Sequence, residues 1–392
     1  MRVALCGGVL VEHDGISFSL STKLDLLRRR RLEGADVEAR AFVQLTDATD
    51  DADIVCAPNA WELQRDPWFA AAEVYVYEFG IHFSLFDSIF LVPPDRHVLG
   101  VFHNITPIEL VDDPITRTKV LDSMVQVHNL SRCHEVLCDS AFNASTLAAL
   151  GVPEVTTTVV GLPPARPVLP RRERSDACTE LIFVGRFVRS KGLLDLLLAV
   201  HRAASEGASD LRVLLAGSPV FSDRGYLAAL EATVDDLGLA EIVEFLLSPD
   251  DDTLASRFAS ADALVLPSYH EGYCLPVTEA MASGCHVITY DAASLPETTA
   301  GLGLLVPTGD VEALGDAVAD YCQRRRAVHA REAMLVPTSS GDIRHDEWLR
   351  RVDELAGSRS LQAYETRFLA ALDRAAAAMG LPAVGAGVLA HG

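Results

Sequence analysis

Several absences narrow the class of this 392-residue chain. Although 49% of it is apolar, no run approaches the length of an uncharged membrane-spanning helix. The N-terminal stretch opens apolar, but Glu12, His13 and Asp14 interrupt it before a signal-type hydrophobic region forms, so a cytoplasmic protein is expected. The eight cysteines are scattered without a Cys-x-x-Cys pair, which argues for reduced thiols and against a disulfide frame or zinc site. Positive charge is scarce. Against 55 Asp and Glu stand 33 Lys and Arg, a net charge of −22, whereas nucleic acid and anionic membranes call for clustered basic residues. Arg28–Arg31 is the one dense basic run and reads as a solvated helix end. His13, His82, His128 and His134 show no metal-type spacing. Lys191 is not followed by the Ser or Thr of a Walker loop. Gly301-Leu-Gly303 lacks the third glycine and the strand-turn-helix setting of a dinucleotide fingerprint, which excludes a dehydrogenase.

What is present is alternation. A chain this long exceeds the size of one growing core, so two domains are expected. Short apolar runs ending at turn residues (RVALCG, ADIVCAP, EVYVYEFG, HVLGVFHN, EVLCDS, VTTTVVG) read as strands, with helical stretches near 20–33, 116–132 and 143–150. The segment 161–176 is rich in Pro and charge and fits neither sheet nor helix core. After it the pattern restarts, with strands ELIFVGRF, LRVLLAGS, IVEFLL, ADALVLPS, HVITYD and GLLVP between helices. Alternating β and α elements imply parallel sheets covered on both faces. The expected fold is therefore α/β, two Rossmann-like domains facing a cleft at the strands' carboxyl ends. The boundaries drawn are 1–165, a linker at 166–176, 177–357, a helix at 358–380 and a disordered tail at 381–392. No role is assigned to 330–357.

The most informative stretch is Leu264–Gly284, LVLPSYHEGYCLPVTEAMASG. A buried strand ends at Pro267, Glu271-Gly272 occupy a loop, Pro276 suits the first turn of a helix, and Gly284 stops it. Glu271 and Glu279 flank a helix N-terminus that favours phosphate, and carboxylates accept from vicinal hydroxyls. This suits a nucleotide-sugar. In FVGRFVRSKG a strand delivers Gly185 and Arg186 to a loop, and Lys191 opens the next helix, which sets positive charge against a departing diphosphate. His103 follows an apolar strand in VFHNITP, at its carboxyl end. In the first loop, Asp14 could meet an acceptor hydroxyl or amine, or be a turn residue.

PSYHEGYCLPVTEAMASG, with its Glu-x7-Glu spacing, resembles the retaining glycosyltransferases of family 4, which have the GT-B fold. The resemblance implies that Glu271 binds the donor hexose and Glu279 the ribose, and that Gly272, Tyr273, Cys274 and Leu275 present backbone N–H groups to sugar and phosphate. It implies that Arg186 and Lys191 bind the diphosphate beside Gly185 in place of a metal, that His103 contacts the hexose, and that Gly15 lets backbone pass close to phosphate. It also implies that the last helix crosses back onto the first domain. Two departures stand out. The family mostly has Phe-Gly where this chain has Tyr273-Cys274, and Gly-Gly where it has Asp14-Gly15.

The function expected is retaining, metal-independent transfer of a hexose from a nucleoside diphosphate sugar to a hydroxyl of a small soluble acceptor. No cofactor is expected, nor nucleic acid, nor stable membrane association. UDP is the commonest donor base in the resembled family, and the acidic surface favours an amine-bearing acceptor such as an aminocyclitol. The alternatives are a nucleotide-sugar epimerase of the same architecture and a non-catalytic nucleotide-sugar sensor.

Overall fold

The computed structural model describes residues 1–392 except 13, 49, 153–154, 172–177, 209, 221, 328–333 and 386–392. It divides into two compact units. One comprises Met1–Ile108, Pro114–Pro163 and Leu361–Gly392; the other comprises Glu109–Asp113 and Pro164–Ser360.

The first unit is built on a seven-stranded sheet: β1 (Arg2–Cys6), β2 (Glu38–Val43), β3 (Ile54–Cys56), β4 (Val74–Phe79), β5 (His97–Phe102), β6 (Glu135–Cys138) and β7 (Thr156–Val159). Their order is β3-β2-β1-β4-β5-β6-β7, with every pairing parallel. Strands covered on both faces must be apolar nearly throughout, which explains why β4 and β6 are wholly buried. The order reverses between β1 and β4, and ligands in such sheets bind beyond the strand ends near that reversal. Strand β2 is not among the expected strands, which are continuous apolar runs, although Glu38-Ala39-Arg40-Ala41 has the alternating period of a half-buried strand. Arg40 is accommodated over the Trp68 ring, 5.1 Å from its centroid.

Helix α1 (Gly15–Leu32) starts earlier than its apolar pattern suggests, and Asp14 caps it. The basic run at its end is solvated at Arg29 and Arg31, as expected, but not at Arg30, which is buried. Arg28 pairs with Asp51 and Asp53, Arg29 with Glu365, Arg31 with Glu38, and the buried Arg30 with Glu33. An acidic chain offers each of these arginines a partner. Arg30 also donates to the Val384 carbonyl at 2.8 Å, and the Val384 amide donates to Asp373 at 2.6 Å. Val384 is buried, so the disordered-tail expectation is corrected for 381–385, while 386–392 lie outside the described residues. The helix Leu361–Ala378 is part of this first unit; its Arg367 donates to the Val160 carbonyl and its Arg374 pairs with Glu135.

The second unit holds six parallel strands: β8 (Thr179–Val184), β9 (Leu211–Gly217), β10 (Val243–Leu247), β11 (Ala263–Leu266), β12 (His286–Tyr290) and β13 (Leu304–Val306), in the order β10-β9-β8-β11-β12-β13. Its reversal falls between β8 and β11. Helix α2 (Leu193–Ser205) buries Leu193, Leu196, Leu197 and Val200, the three-and-four spacing of a core-facing stripe. Helices α3 (Asp251–Ser260) and α4 (Leu275–Ala282) also belong to this unit. Within 330–357, a two-stranded ribbon, Leu335–Val336 with Ile343–Arg344, precedes the helix His345–Ser358. Buried Trp348 of that helix donates to the Leu302 carbonyl at 2.8 Å. Of the expected linker, 172–176 lie outside the described residues; Arg166 and Arg171 bond to this unit through Glu279 and Asp353. Among the described residues no helix is long and apolar enough to cross a membrane. All eight cysteines are free thiols.

Candidate active site

In the second unit, β8 and β11 flank the sheet reversal, so the loops leaving them are neighbours. The first carries Gly185, Arg186 and Lys191, the second Ser268 to Leu275. They meet closely. Gly192 has φ 65°, and a Cβ there would lie 2.0 Å from the Pro267 carbonyl oxygen, so only glycine fits. The Tyr269 amide donates to the Ser190 carbonyl at 2.9 Å. This docking sets the Lys191 Nζ 2.6 Å from Glu271 Oε1, the two side chains being 15% and 9% exposed. Burial pushes the Glu271 carboxyl up, but the Lys191 ammonium outweighs it and holds the acid below its ordinary value. Arg186 differs: it is exposed at the end of β8 and has no ion pair among the described residues. Gly217 packs so tightly on the Gly185 carbonyl that a Cβ on it would lie 2.0 Å from that oxygen.

Beyond Glu271 the chain passes Gly272 and Tyr273 and turns at Cys274 into α4. Cys274 takes up the left-handed conformation, φ 73° and ψ 76°, with its thiol buried. An L-residue pays about 1–2 kcal/mol for that conformation. Leu275 and Pro276 open the helix, which no side chain caps. The Tyr273 carbonyl accepts from Thr298 Oγ1 at 2.6 Å, and the Ser294 amide donates to the Glu271 carbonyl at 3.3 Å, so a second loop pins this turn from behind.

Glu279 sits on the buried side of α4. Its Oε1 accepts from the Ala165 amide at 3.0 Å and its Oε2 from Arg166 at 2.7 Å. Burial raises this carboxyl above its ordinary value, with Arg166 opposing but not reversing the shift. Glu271 and Glu279, one motif in sequence, thus occupy opposite electrostatic settings.

The first unit holds the other expected residues. His103, at the end of β5, is clamped between two acids: Nδ1 lies 2.7 Å from Asp139 Oδ2 and Nε2 lies 2.6 Å from Glu78 Oε2. Lys23 of α1 stands 2.8 Å from the other Glu78 oxygen and under the rings of Tyr364 and Phe368. Burial lowers the imidazolium, but Asp139 and Glu78 overcome it and lift His103 to about 10. The residue is therefore a fixed cation near neutrality. Neither ring nitrogen is left for a hexose hydroxyl unless a carboxylate gives up its bond. Asp14 works as a helix cap, accepting at 2.8 Å from both the amide and the hydroxyl of Ser17. Gly15 begins α1, and a Cβ there would meet nothing within 4 Å.

Arg166, Glu78, Asp139 and Lys23 carry these arrangements without having been singled out from the sequence. Glu78 and Asp139 left a signal, since an acid at the end of an apolar parallel strand needs a partner. Arg166 left none beyond its place between prolines. Among the described residues, no group of three or more His, Cys, Asp or Glu could hold a metal ion.

Residues 171–334 match the family described as glycosyl transferases, group 1. A D-inositol 3-phosphate glycosyltransferase of Mycobacteroides abscessus is 36% identical over 154 residues, 39% of this chain and 34% of that protein. A 2-deoxystreptamine N-acetyl-D-glucosaminyltransferase of Streptomyces fradiae is 29% identical over 221 residues, 54% of this chain and 48% of that one. The chain thus spans between a third and a half of the length of these curated relatives. Among solved structures, sucrose-phosphate synthase from Thermosynechococcus elongatus matches 96% of this chain and 100% of its own, with a TM-score of 0.71 at 18% identity. That likeness is one of fold, and it bears out the expected GT-B class of two Rossmann-like units.

Proposed function

We propose that this chain is a retaining glycosyltransferase that moves a hexose from a UDP-linked donor to a hydroxyl of a small cyclitol-type acceptor, without a metal ion. The observation that carries the reading is the pairing of Lys191 with Glu271 beyond the β8–β11 reversal, with Arg186 exposed at the end of β8. A departing nucleoside diphosphate develops negative charge, and Arg186 and Lys191 supply the compensating charge that a divalent ion supplies elsewhere. Glu271, held anionic by Lys191, accepts from hexose hydroxyls. Glu279 accepts from the ribose. No carboxylate is assigned as a covalent nucleophile. The leaving phosphate takes the acceptor proton on the face from which it departs, which conserves the anomeric configuration. The two relatives support the acceptor class, since both of their names specify a cyclitol, one phosphorylated and one aminated. Eight free thiols fit a reducing, cytoplasmic setting.

The test is thermal-shift screening against UDP, GDP, ADP and dTDP and their hexoses, followed by transfer to inositol phosphates and aminocyclitols with the product anomer read by NMR. A UDP-hexose should raise the melting temperature and yield a product of retained configuration. Arg186→Ala should lower kcat at least about 100-fold with melting unchanged. Donor isomerisation without acceptor would make the protein an epimerase, and donor binding without turnover would make it a sensor.

A further inference from the structure

Arg166 lies between Pro164 and Pro167, two residues that restrict the backbone around it. Its side chain is 15% exposed, spanning from Glu279, at 2.7 Å, to Asp251 of α3, whose Oδ1 lies 2.9 Å from Nε. The preceding amide of Ala165 reaches the other Glu279 oxygen at 3.0 Å. A carboxylate offers about four lone-pair positions, two on each oxygen. Among the described residues the protein therefore fills one on each oxygen, and one further position on each is what a vicinal diol needs.

We propose that Arg166 is a positioning residue for the donor nucleotide, orienting the Glu279 carboxylate so that its two remaining lone pairs take the ribose diol. The inference rests on the donor reading above and adds to it a residue outside the Glu-x7-Glu motif. The groups whose charge bears on Glu279 are Arg166 and, from α3, Asp251, and the second opposes the first. Glu279 is 2% exposed, and burial already drives it toward protonation. Without Arg166 only the Ala165 amide opposes that drive, and a protonated carboxyl has lost part of its accepting capacity. Since only the anion accepts from both hydroxyls, affinity should then fall as pH falls.

The test is calorimetric titration of wild type, Arg166→Met and Arg166→Lys with UDP and with 2′-deoxy-UDP, from pH about 8 down to about 6. Wild type should prefer UDP, and its own modest decline as the terminal phosphate of UDP protonates near pH about 6 is the baseline against which the variants are compared. Arg166→Met should bind UDP at least about tenfold more weakly, the deficit widening toward pH 6, while kcat at saturating donor changes little. Arg166→Lys should recover part of the affinity and flatten the profile. If Arg166→Met does not fold, Arg166→Lys alone decides: it must bind UDP more weakly than wild type with a steeper pH profile. Equal affinity and equal pH dependence in the variants would overturn the assignment while leaving the donor reading intact. Failure of wild type to bind any nucleoside diphosphate would overturn both.

Discussion

Lys191→Met should destabilise the second unit strongly, not merely slow turnover. The ammonium sits 2.6 Å from Glu271, and neither side chain exceeds 15% exposure. Removing one member of a buried pair leaves an uncompensated charge, at a cost of about 3–5 kcal/mol. Replacing both with neutral groups of similar volume removes the attraction and the desolvation penalty together, so Lys191→Met/Glu271→Gln should lose far less than the two single changes combined. The coupling energy should be at least about 2 kcal/mol. Urea unfolding followed by the fluorescence of Trp348 isolates the right unit, in a Trp61→Phe/Trp68→Phe background. The pH dependence has a definite sign. Because Glu271 is held below its ordinary value, its stabilisation is present above the unfolded value of 4.5 and is lost as pH falls through the lower folded value. Wild type should therefore lose its advantage over Glu271→Gln in acid. A Lys191→Met penalty under about 1 kcal/mol, or additivity to within about 0.5 kcal/mol, would refute the reasoning. Turnover of Lys191 variants has to be read against their stability, whereas exposed Arg186 permits a clean kinetic test.

Three further outcomes follow from the geometry. Cys274→Gly should be more stable than Cys274→Ala by about 1 kcal/mol, the reverse of the order inside a helix, because φ is 73° there; a thermal melt with alanine ahead of glycine would contradict that conformation. Gly192→Ala should cost more than about 3 kcal/mol or abolish soluble expression, since its Cβ would lie 2.0 Å from the Pro267 carbonyl oxygen, and a near-wild-type melt would show that the two loops are not docked. His103 is raised to about 10, so its stabilisation is complete below the unfolded value of 6.5 and is lost as pH rises toward 10. Wild type should decline over that range while His103→Gln stays flatter, and parallel curves would remove the imidazolium from the network.

Local chemistry reached far into this chain. Strand and helix alternation, the stop at Pro267, the helix opening at Pro276 and its end at Gly284 were all legible because each depends on a few adjacent residues. The basic run at Arg28–Arg31 reads correctly as solvated at Arg29 and Arg31, but a charge run on a helix gives no sign that Arg30 will be buried or which distant acids will pair with the run. Strand β2 lies outside the expected apolar runs because Glu38-Ala39-Arg40-Ala41 alternates instead, and only the tertiary structure shows Arg40 lying over Trp68.

The sequence by itself determined the two α/β halves and the motif residues Arg186, Lys191, Glu271 and Glu279, because strand periodicity, turn residues and the Glu-x7-Glu spacing are properties of contiguous chain. Only the tertiary structure decided which charges meet. Lys191 and Glu271, far apart in sequence, pair because the sheet reverses between β8 and β11. Glu279 belongs to Arg166, and His103 to Glu78 and Asp139, for the same physical reason: burial forces each ionised group to find a partner, and the partner is whatever the fold brings within 3 Å.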